Sequence, residues 1–175
     1  MFLQLKLIKK CEVSQTWVNW LNDKEVTKYS ENRLKKHTKA SQKKFLKKKS
    51  KDKSSLMFKI FFKKKHVGIV ELSHINRFHK CCEVSYRIGD KENWNKGIGT
   101  HVITKISNFA FNKLLMQKIY AGAYQNNFAS IKILKNNGFK IEGKIKNFFK
   151  LSNSKRVAKV ILGVTRREFV NNAKN

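Results

Sequence analysis

The 175-residue chain contains no apolar run that could cross a membrane. A membrane-spanning helix needs about 20 consecutive apolar residues, and polar or charged residues interrupt every stretch of this sequence well before that length. The first residues, Met1 to Lys6, alternate apolar and polar side chains, whereas a secretory signal carries a block of apolar residues. These absences argue against a membrane span and predict a soluble, cytoplasmic protein.

Cysteine is scarce, with three residues in the whole chain. Cys81 and Cys82 are adjacent, Cys11 stands alone, and no two cysteines have the C-x-x-C spacing. An odd number of cysteines without that spacing indicates neither a disulfide framework nor a zinc site. We therefore expect reduced thiols and no bound metal.

Acidic residues are few and proline is absent. Against 40 Lys and Arg the chain has 11 Asp and Glu, which gives a formal net charge of +29. Such a charge can indicate a polyanionic partner such as nucleic acid. The excess is mostly lysine, spread along the chain beside many Asn and Ile, which is also the composition that an AT-biased coding sequence produces. Both interpretations stay open, and the stretch 38–53 is the compositionally biased part.

Hydrophobic periodicity divides the chain into strands and helices. Apolar residues at every second position predict strands, and apolar residues at i, i+3, i+4 and i+7 predict helices. The predicted strands are 2–8, 57–62, 66–73, 82–88, 118–124, 139–146 and 157–164; the predicted helices are 13–21, 38–51, 98–114 and 127–135, with a short helix or turn at 23–29. This succession predicts a mixed α/β sheet covered by helices. It favours one domain over residues 1–170, followed by a tail, 171–175.

Two glycines stand where the strand at 82–88 passes into the long helix, in the segment 94–100 (W-N-K-G-I-G-T). Glycine lets a ligand approach the backbone closely, and the first N–H groups of a helix have no intrahelical partners. Such a helix start binds phosphate well, although the same glycines would also permit a tight turn without any ligand. The segment is neither a Walker loop nor a dinucleotide fingerprint, because the latter needs a small residue where Val102 stands.

The segment 94–100 resembles the pyrophosphate loop of the GNAT superfamily of N-acetyltransferases. It is most similar to the ribosomal-protein and amino-sugar branch, in which W-G-K-G-[YI]-[GA]-T is common, and it departs from that pattern at Asn95. Two further segments match in the right order: 127–130 (N-F-A-S), followed by Gly138 and Phe139, resembles the N-x-x-[SA] and G-F motifs, and 82–84 (C-E-V) resembles A-E-[IV]. The resemblance therefore covers several separate parts of the chain.

The opening W-L-N-D-K-E-V at 20–26, followed by Tyr29 and Arg33, is similar to the start of the same branch, so the resemblance extends over nearly the whole chain. It implies a mostly antiparallel, twisted sheet of six to seven strands flanked by helices. It also implies acetyl-CoA as co-substrate and direct transfer of the acetyl group to a primary amine.

The resemblance also implies a set of residues that contact the coenzyme. They are Arg87, Ile88 and Gly89, where a strand bulge would turn a backbone N–H toward the thioester carbonyl; Trp94, Asn95, Lys96, Gly97, Ile98, Gly99 and Thr100 in the loop; and Asn127 beside the pantetheine arm.

Glu83 matches the position of the catalytic base in several relatives, and Glu71 on the neighbouring strand is the second candidate. A base is needed because an alkyl amine with a pKa near about 10 is mostly protonated at neutral pH. Many relatives protonate the departing thiolate with a Tyr at the position of Leu134. Ser130 and Tyr124 are the substitutes that this sequence offers, and the sequence does not choose between them. Glu83 would serve equally as a lysine partner, and Ser130 as capping support.

Trp20, Tyr29 and Arg33 are the expected acceptor-side residues, although Trp20 suits a core position equally. The branch acetylates amino sugars of surface polysaccharides, sometimes as nucleotide-linked sugars, and the N-terminal amines of ribosomal proteins. The lysine surplus favours an anionic small-molecule acceptor by charge complementarity. A monomer and a homodimer are both compatible with the sequence.

Two other classes of protein stay open. A basic nucleic-acid-binding module would explain the charge, but the sequence has no helix-turn-helix, zinc-finger or RNP signature. Aromatic residues such as Phe148 and Phe149 fall on strand patterns that predict core positions rather than a stacking platform. A catalytically dead relative that binds an acyl-CoA or a protein partner is the third interpretation, because the thiolate-side Tyr is missing.

Overall fold

The computed structural model describes residues 2–8, 12–152 and 154–172. Seven strands of these residues form one sheet, in the order β1-β2-β3-β4-β5-β7-β6. Their bounds are β1 Leu3–Leu7, β2 Leu56–Phe62, β3 Lys65–Asn76, β4 Cys81–Ile88, β5 Lys118–Tyr124, β6 Lys140–Lys150 and β7 Arg156–Thr165. Each predicted strand is confirmed. Cys11, with its predicted reduced thiol, and residues 173–175 of the predicted tail lie outside the described residues.

Within the described residues, six α-helices and two 3-10 turns connect the strands. The helices are α1 Gln15–Asn22, α2 Lys24–Thr27, α3 Lys39–Lys49, α4 Ile98–Asn112, α5 Phe128–Asn136 and α6 Arg166–Asn172; the 3-10 turns are Glu31–Leu34 and Lys91–Asn93. The predicted helices are confirmed with small shifts at their ends. Helix α6 is not predicted by the sequence pattern, and it crosses the boundary expected at residue 170.

The sheet is mixed and mostly antiparallel, as expected. β1 to β4 pair antiparallel in chain order, and β7 pairs antiparallel with both β5 and β6. β4 and β5 are parallel, and their pairing extends only from Cys81–Lys118 to Glu83–Tyr120. β5 reaches this position after α4 crosses over the sheet, the usual connection of parallel neighbours.

Helices cover both faces of the sheet. Helix α4 buries Val102 and Ile106 completely against one face, at the spacing of a helix with one apolar side, and α5 packs beside it. We call this side the α4 face. On the opposite side, the α1 face, helices α1 and α3 bury Trp17, Leu21 and Leu46 in a second apolar cluster. The sheet is therefore the middle of three layers.

The lysine-rich stretch forms helix α3 with a solvated face, as predicted. Thr38 caps the helix and forms a capping box with Ser41, in which each side chain bonds the other residue's backbone N–H. Only Gln42 and Leu46 of α3 are buried. The lysines point outward along the rest of the helix, where water solvates their charges.

The predicted core position of Phe148 and Phe149 is wrong. β6 is an edge strand that pairs only with β7 among the described strands, so its two faces lack the cover that the central strands have. Phe148 is 46% exposed, and the Phe149 ring stacks on Tyr124 with the ring centroids 3.6 Å apart. Alternating apolar residues marked the strand correctly but not its place at the edge.

The longest helix of the described residues is α4, with 15 residues. No helix in this part of the chain combines the length and the apolar character that a membrane crossing requires.

Replacing Gly68 should weaken the β3–β4 ladder. A Cβ at Gly68→Ala would overlap the carbonyl oxygen of Arg87 and lie 3.0 Å from Ile88 Cα, and backbone atoms cannot rotate away. We expect a loss of about 1–3 kcal/mol in the free energy of unfolding, measured by chemical denaturation. Gly143→Ala is the matched control, because a Cβ there meets no atom within 4 Å. Equal midpoints for the two variants would contradict this packing.

Candidate active site

The sheet opens between β4 and β5. Their pairing ends at Glu83 and Tyr120, while β4 stays paired with β3 as far as Ile88 and β5 stays paired with β7 as far as Tyr124. A cavity of ≈ 450 Å³ fills the opening, and its walls come from both faces of the sheet. The two outer ladders hold the strands apart, so the opening is part of the rigid sheet.

The backbone of β4 directs amide groups into this opening. The Gly89 N–H donates to Val67 O of β3, 2.9 Å away, and successive residues of a strand point their amides to opposite sides. Those of Arg87, Ser85 and Glu83 therefore point to β3. The amides of Val84, Tyr86 and Ile88 point toward β5, which has already separated from β4.

The resemblance implied a strand bulge at Arg87, Ile88 and Gly89. The β3–β4 register runs without a shift from Ser73–Glu83 to Gly68–Ile88, so Arg87 and Ile88 are in regular pairing. The irregularity begins at Gly89, because the N–H groups of Gly89 and Asp90 both donate to Val67 O, at 2.9 and 3.1 Å. β4 and β5 part before this point, while each stays paired with its other neighbour.

The expected cofactor loop lies between the end of β4 and α4. Gly97 has φ +72°, in the left-handed region that favours glycine, and α4 begins at the next residue with no side-chain cap. Trp94 Nε1 donates to Ile88 O, 2.8 Å away, which ties the loop to β4. A Cβ at Gly99 would lie 2.8 Å from Ile133 Cδ1, so Gly99 serves the close packing of α4 on α5. Asn95, Lys96 and Gly97 are exposed, whereas Ile98 is buried and Thr100 is half-buried.

On the α4 face the cavity is lined by Tyr86, Asn127, Ser130 and Leu134. Asn127 caps α5 by accepting the Ser130 N–H at 3.2 Å, and Leu134 is buried. Burial raises the pKa of the Tyr86 phenol, and a hydrogen bond with the Ser130 side chain partly offsets the shift. The sequence analysis missed Tyr86, because its place on the apolar side of β4 predicted a core residue.

Asn126 carries a buried polar atom without a partner. Its Oδ1 atom forms no hydrogen bond with the described residues, although it lies in the turn that precedes Asn127 and α5. Buried polar atoms are nearly always hydrogen-bonded. Asn126 is not among the residues that line the cavity.

On the α1 face the cavity is lined by two carboxylates from neighbouring strands, Glu71 and Glu83. Glu71 Oε1 accepts from Lys49 Nζ at 2.6 Å and from the Ser55 hydroxyl at 2.7 Å. Glu83 Oε2 lies 3.0 Å from Nδ1 of His74, whose side chain is exposed. Glu71 is therefore held by a lysine, whereas Glu83 lies where the strands part and contacts an exposed histidine.

Tyr124 forms part of a hydrogen-bonded clamp. Its hydroxyl donates to Glu31 Oε1 at 2.6 Å and accepts from Arg33 Nη1 at 2.7 Å. Arg33 Nη2 also donates to Lys150 O at 2.7 Å. Burial and the Glu31 carboxylate raise the pKa of Tyr124, and the Arg33 guanidinium partly offsets this. We call Glu31, Arg33, Tyr124 and Lys150 the Tyr124 clamp. The clamp joins the 3-10 turn Glu31–Leu34 to β5 and β6.

The three expected acceptor-side residues have different positions. Tyr29 lines the cavity and packs on Tyr124, with ring centroids 5.8 Å apart. Arg33 belongs to the Tyr124 clamp and does not line this cavity. Trp20 does not line it either: the ring is 8% exposed and packs directly on the backbone of Gly89. Burial of its large apolar area decides the position of Trp20.

Among residues 2–8, 12–152 and 154–172, no group of three or more His, Cys, Asp or Glu side chains is arranged to hold a metal ion. The polar groups that line the cavity include carboxylates, hydroxyls, the cations of Arg87 and Lys159, and backbone amides. This set can move protons and stabilise a developing oxyanion.

Comparison with known proteins gives a consistent result. Residues 4–140 match the family model described as "Acetyltransferase (GNAT) domain". An 85-residue segment is 28% identical to "Uncharacterized N-acetyltransferase YoaA" of Bacillus subtilis (strain 168) and covers 49% of this chain and 48% of that protein. The matched segment therefore spans about half the length of this curated relative.

Two solved structures share the fold over nearly their whole length. The spermidine N-acetyltransferase from Vibrio cholerae in complex with CoA and spermine superposes with a TM-score of 0.81 at 20% identity, covering 97% of this chain and 98% of that chain. A SpeG chimera from Vibrio cholerae and hSSAT gives a TM-score of 0.84 at 19% identity, with coverage of 97% and 98%. At these identities the comparison shows a common fold.

The two carboxylates of the cavity should respond differently to substitution. Glu71→Gln removes the partner of Lys49, and we expect a loss of about 1–2 kcal/mol in the free energy of unfolding. Glu83→Gln loses only a contact with the exposed His74, so a change below about 0.5 kcal/mol is expected. Chemical denaturation of both variants measures the difference. Equal destabilisation would contradict the distinction between a structural Glu71 and an uncommitted Glu83.

Proposed function

Because the chain belongs to the GNAT acetyltransferase family, we propose that it transfers an acetyl group from acetyl-CoA directly to a primary amine. The observation that carries this proposal is the separation of β4 and β5 just beyond Glu83, which opens a cavity through the sheet. Donor and acceptor enter this cavity from opposite faces. The α4 face receives the coenzyme, and the α1 face receives the amine.

The residues of the α4 face fit the coenzyme. The free N–H groups at the start of α4, behind Gly97, suit its phosphates, and Lys96 adds an exposed positive charge beside them. Asn127, which lines the cavity, and the opening-side amides of β4 suit the amide groups of its pantetheine arm. The coenzyme supplies the acetyl group as a reactive thioester, and every other role falls to the protein.

Glu83 is the proposed general base. Its carboxylate lies on the α1 face at the fork of the two strands, beside the ring of His74. It accepts a proton from the incoming ammonium, which frees the nitrogen lone pair, and His74 offers a path for that proton to solvent. Glu71 is less suited, because Lys49 and Ser55 already bond its carboxylate.

The amides of β4 that point into the opening stabilise negative charge on the acetyl oxygen. Of these, Ile88 is the nearest to the α4 loop along the strand, and its carbonyl is fixed by Trp94. Fixed N–H donors of this kind are typically the largest single contribution to acyl-transfer catalysis. Trp94 and Gly89 therefore act by holding the backbone at the end of β4 in place, and not by contact with the amine.

Ser130 and Tyr86 are the proposed donors of the proton that the departing sulfur needs. They face each other at the α4 side of the cavity, and the raised pKa keeps the Tyr86 phenol protonated at neutral pH. Tyr124 is the weaker candidate, because its hydroxyl hydrogen is already donated to Glu31. Many relatives have a Tyr hydroxyl at the position of Leu134, and here the Tyr86 phenol would take its place. A hydrogen bond with Ser130 connects this phenol to α5.

The acceptor is a primary amine, and an amino sugar, a nucleotide-linked amino sugar and a protein N-terminus remain the proposed classes. The structural neighbours named as spermidine N-acetyltransferases add a polyamine to these classes. Carboxylates on the α1 face of the cavity support a cationic acceptor in general, because they attract an ammonium group.

The proposed reaction predicts release of free thiol from acetyl-CoA only when an amine is present. Calorimetry at two salt concentrations should show that one acetyl-CoA binds per chain and that this binding persists at high salt. Non-specific attraction to a surface with a net charge of +29 is screened by salt and would be lost. A panel of glucosamine, spermidine and a peptide N-terminus tests turnover. No thiol release with any amine would contradict the proposed function.

Glu83→Gln should bind acetyl-CoA like the wild type but turn over about 100-fold more slowly at pH 7. The deficit should shrink as the pH approaches the amine's own pKa, near about 10, because the amine then loses its proton without a base. The pH profile of kcat/KM measures this. A profile identical to that of the wild type would place the base elsewhere.

Tyr86→Phe keeps the ring between α4 and α5 and removes only the hydroxyl. We expect kcat to fall about 10- to 100-fold, with unchanged affinity for acetyl-CoA by calorimetry. Tyr124→Phe is the matched control, because it removes a hydroxyl that is committed to the Tyr124 clamp; it should lower the unfolding midpoint more than kcat. Wild-type kcat in Tyr86→Phe would remove this residue from the proton path.

A further inference from the structure

Arg87 has a half-buried guanidinium without a carboxylate beside it. The side chain lines the α1 face of the cavity, and burial lowers its pKa. Its hydrogen bond to the described residues runs from Nη2 to Ser30 Oγ, at 2.7 Å. No Asp or Glu of this part of the chain forms a salt bridge with it. A guanidinium has several further N–H donors, and a desolvated cation without a counter-ion is costly.

Lys159 brings a second cation to the same cavity. It comes from β7 and crosses Gly122 of β5: a Cβ at Gly122 would overlap Lys159 Cε and lie 3.1 Å from Nζ. The missing side chain at Gly122 is what lets the ammonium reach the cavity wall. Lys159 Nζ lies 5.2 Å from the centroid of the Phe148 ring. Like Arg87, it forms no salt bridge with the described acids.

Both cations belong to the α1 face. Arg87 is the register partner of Ile69, and Ile69 packs against the apolar cluster of α1 and α3. Tyr124 bonds the 3-10 turn Glu31–Leu34 on the α1 face. Gly122 precedes Tyr124 by two residues, and residues two apart in a strand share a face, so Gly122 also faces this side.

Two of the three carboxylates of the cavity are paired with other cations: Glu71 with Lys49 at 2.6 Å, and Glu31 with Arg33 at 3.6 Å. The third, Glu83, is the proposed base and forms no salt bridge with Arg87 or Lys159. Arg87 and Lys159 therefore have no counter-ion among the described acids, on the side where the acceptor enters.

The proposed base and the two cations line the same cavity. Arg87 follows Glu83 by four residues on the same face of β4, a separation of roughly 13 Å between Cα atoms at about 3.3 Å per residue. Gly122, under the Lys159 ammonium, stands two residues beyond Tyr120, the register partner of Glu83. One acceptor can thus present its amine to Glu83 and a second group to the cations.

From this arrangement we infer that Arg87 and Lys159 form an anion subsite, and that the acceptor is an amine that also carries a phosphate or carboxylate group. The inference rests on the proposed acetyl transfer. A guanidinium and an ammonium that line one cavity can bind such oxyanions through charge-assisted hydrogen bonds. An acceptor that is purely cationic would leave both groups unpaired and would meet their repulsion.

Matched pairs of amines test the subsite. Glucosamine 6-phosphate and glucosamine differ by one phosphate, and lysine and cadaverine differ by one carboxylate. For wild-type protein at physiological salt, we expect kcat/KM to favour the anionic member of at least one pair by about 10-fold or more. The pair that responds distinguishes phosphate from carboxylate. Arg87→Gln and Lys159→Met should each bring that ratio toward one without weakening acetyl-CoA binding.

The control variant is Lys113→Gln, which removes an exposed charge at the far end of α4 and should keep the wild-type ratio. Thermal unfolding of each variant checks that it is folded, and Lys159→Met retains the packing of an unbranched chain on Phe148. A ratio near one in the wild type, or a ratio that Arg87→Gln and Lys159→Met leave unchanged, would overturn the subsite while the acetyl transfer stands.

A second measurement does not depend on turnover. With the coenzyme site saturated by CoA, glucosamine 6-phosphate and lysine are titrated into wild type, Arg87→Gln and Lys113→Gln in a calorimeter. At least one of these ligands should bind wild type and Lys113→Gln alike and lose about 10-fold or more in affinity with Arg87→Gln. Absence of binding by both ligands, or equal affinity in all three proteins, would overturn the subsite. Absence of thiol release with every amine would instead contradict the proposed function.

Discussion

The structure depends on a parallel strand pair that is only three residues long. β4 and β5 share hydrogen bonds from Cys81 to Glu83 and then part, although buried backbone groups normally find partners. The separation persists because β4 is paired along its other edge with β3 and β5 with β7. The β4–β5 ladder is thus shorter than the β3–β4 and β5–β7 ladders on either side of it. This difference in length produces the open amides of β4, the cavity and the position of Glu83.

Periodicity in the sequence predicted the elements better than their surroundings. The strands and five of the helices are where alternation and helical spacing put them, because those patterns reflect burial on one face. Helix α6 was missed, since its seven residues bury only Phe169 and leave too short an apolar pattern. Phe148 shows a second limit: alternation is the same in a central and an edge strand, and only the order of strands in the sheet separates the two.

The parts of the candidate site that are formed by a local backbone segment could be predicted from the sequence. The parts formed by side chains that are far apart in the sequence could be predicted less well. Gly97 lies in the tight turn expected before the long helix, with the left-handed backbone that glycine permits. Arg33, expected on the acceptor side, bonds Tyr124 and Lys150 and does not line the cavity itself. Tyr86 and Ser130 lie on a strand and a helix 44 positions apart in the sequence, and no local pattern announces that pair. Neither does spacing announce Lys159 over Gly122, which depends on the register of β5 with β7.

The Tyr124 clamp has a consequence for how the protein can be assembled and damaged. Arg33 is 91 residues from Tyr124 and 117 from Lys150 in the sequence, so the acceptor wall is complete only after the last hairpin has docked. A chain that ends at α5 lacks β6 and β7, and with them both Lys150 of the clamp and the strand that pairs with the outer edge of β5. Loss of the C-terminal hairpin would therefore remove two things together: the backbone contact of the clamp at Lys150 and the ladder that keeps β5 apart from β4.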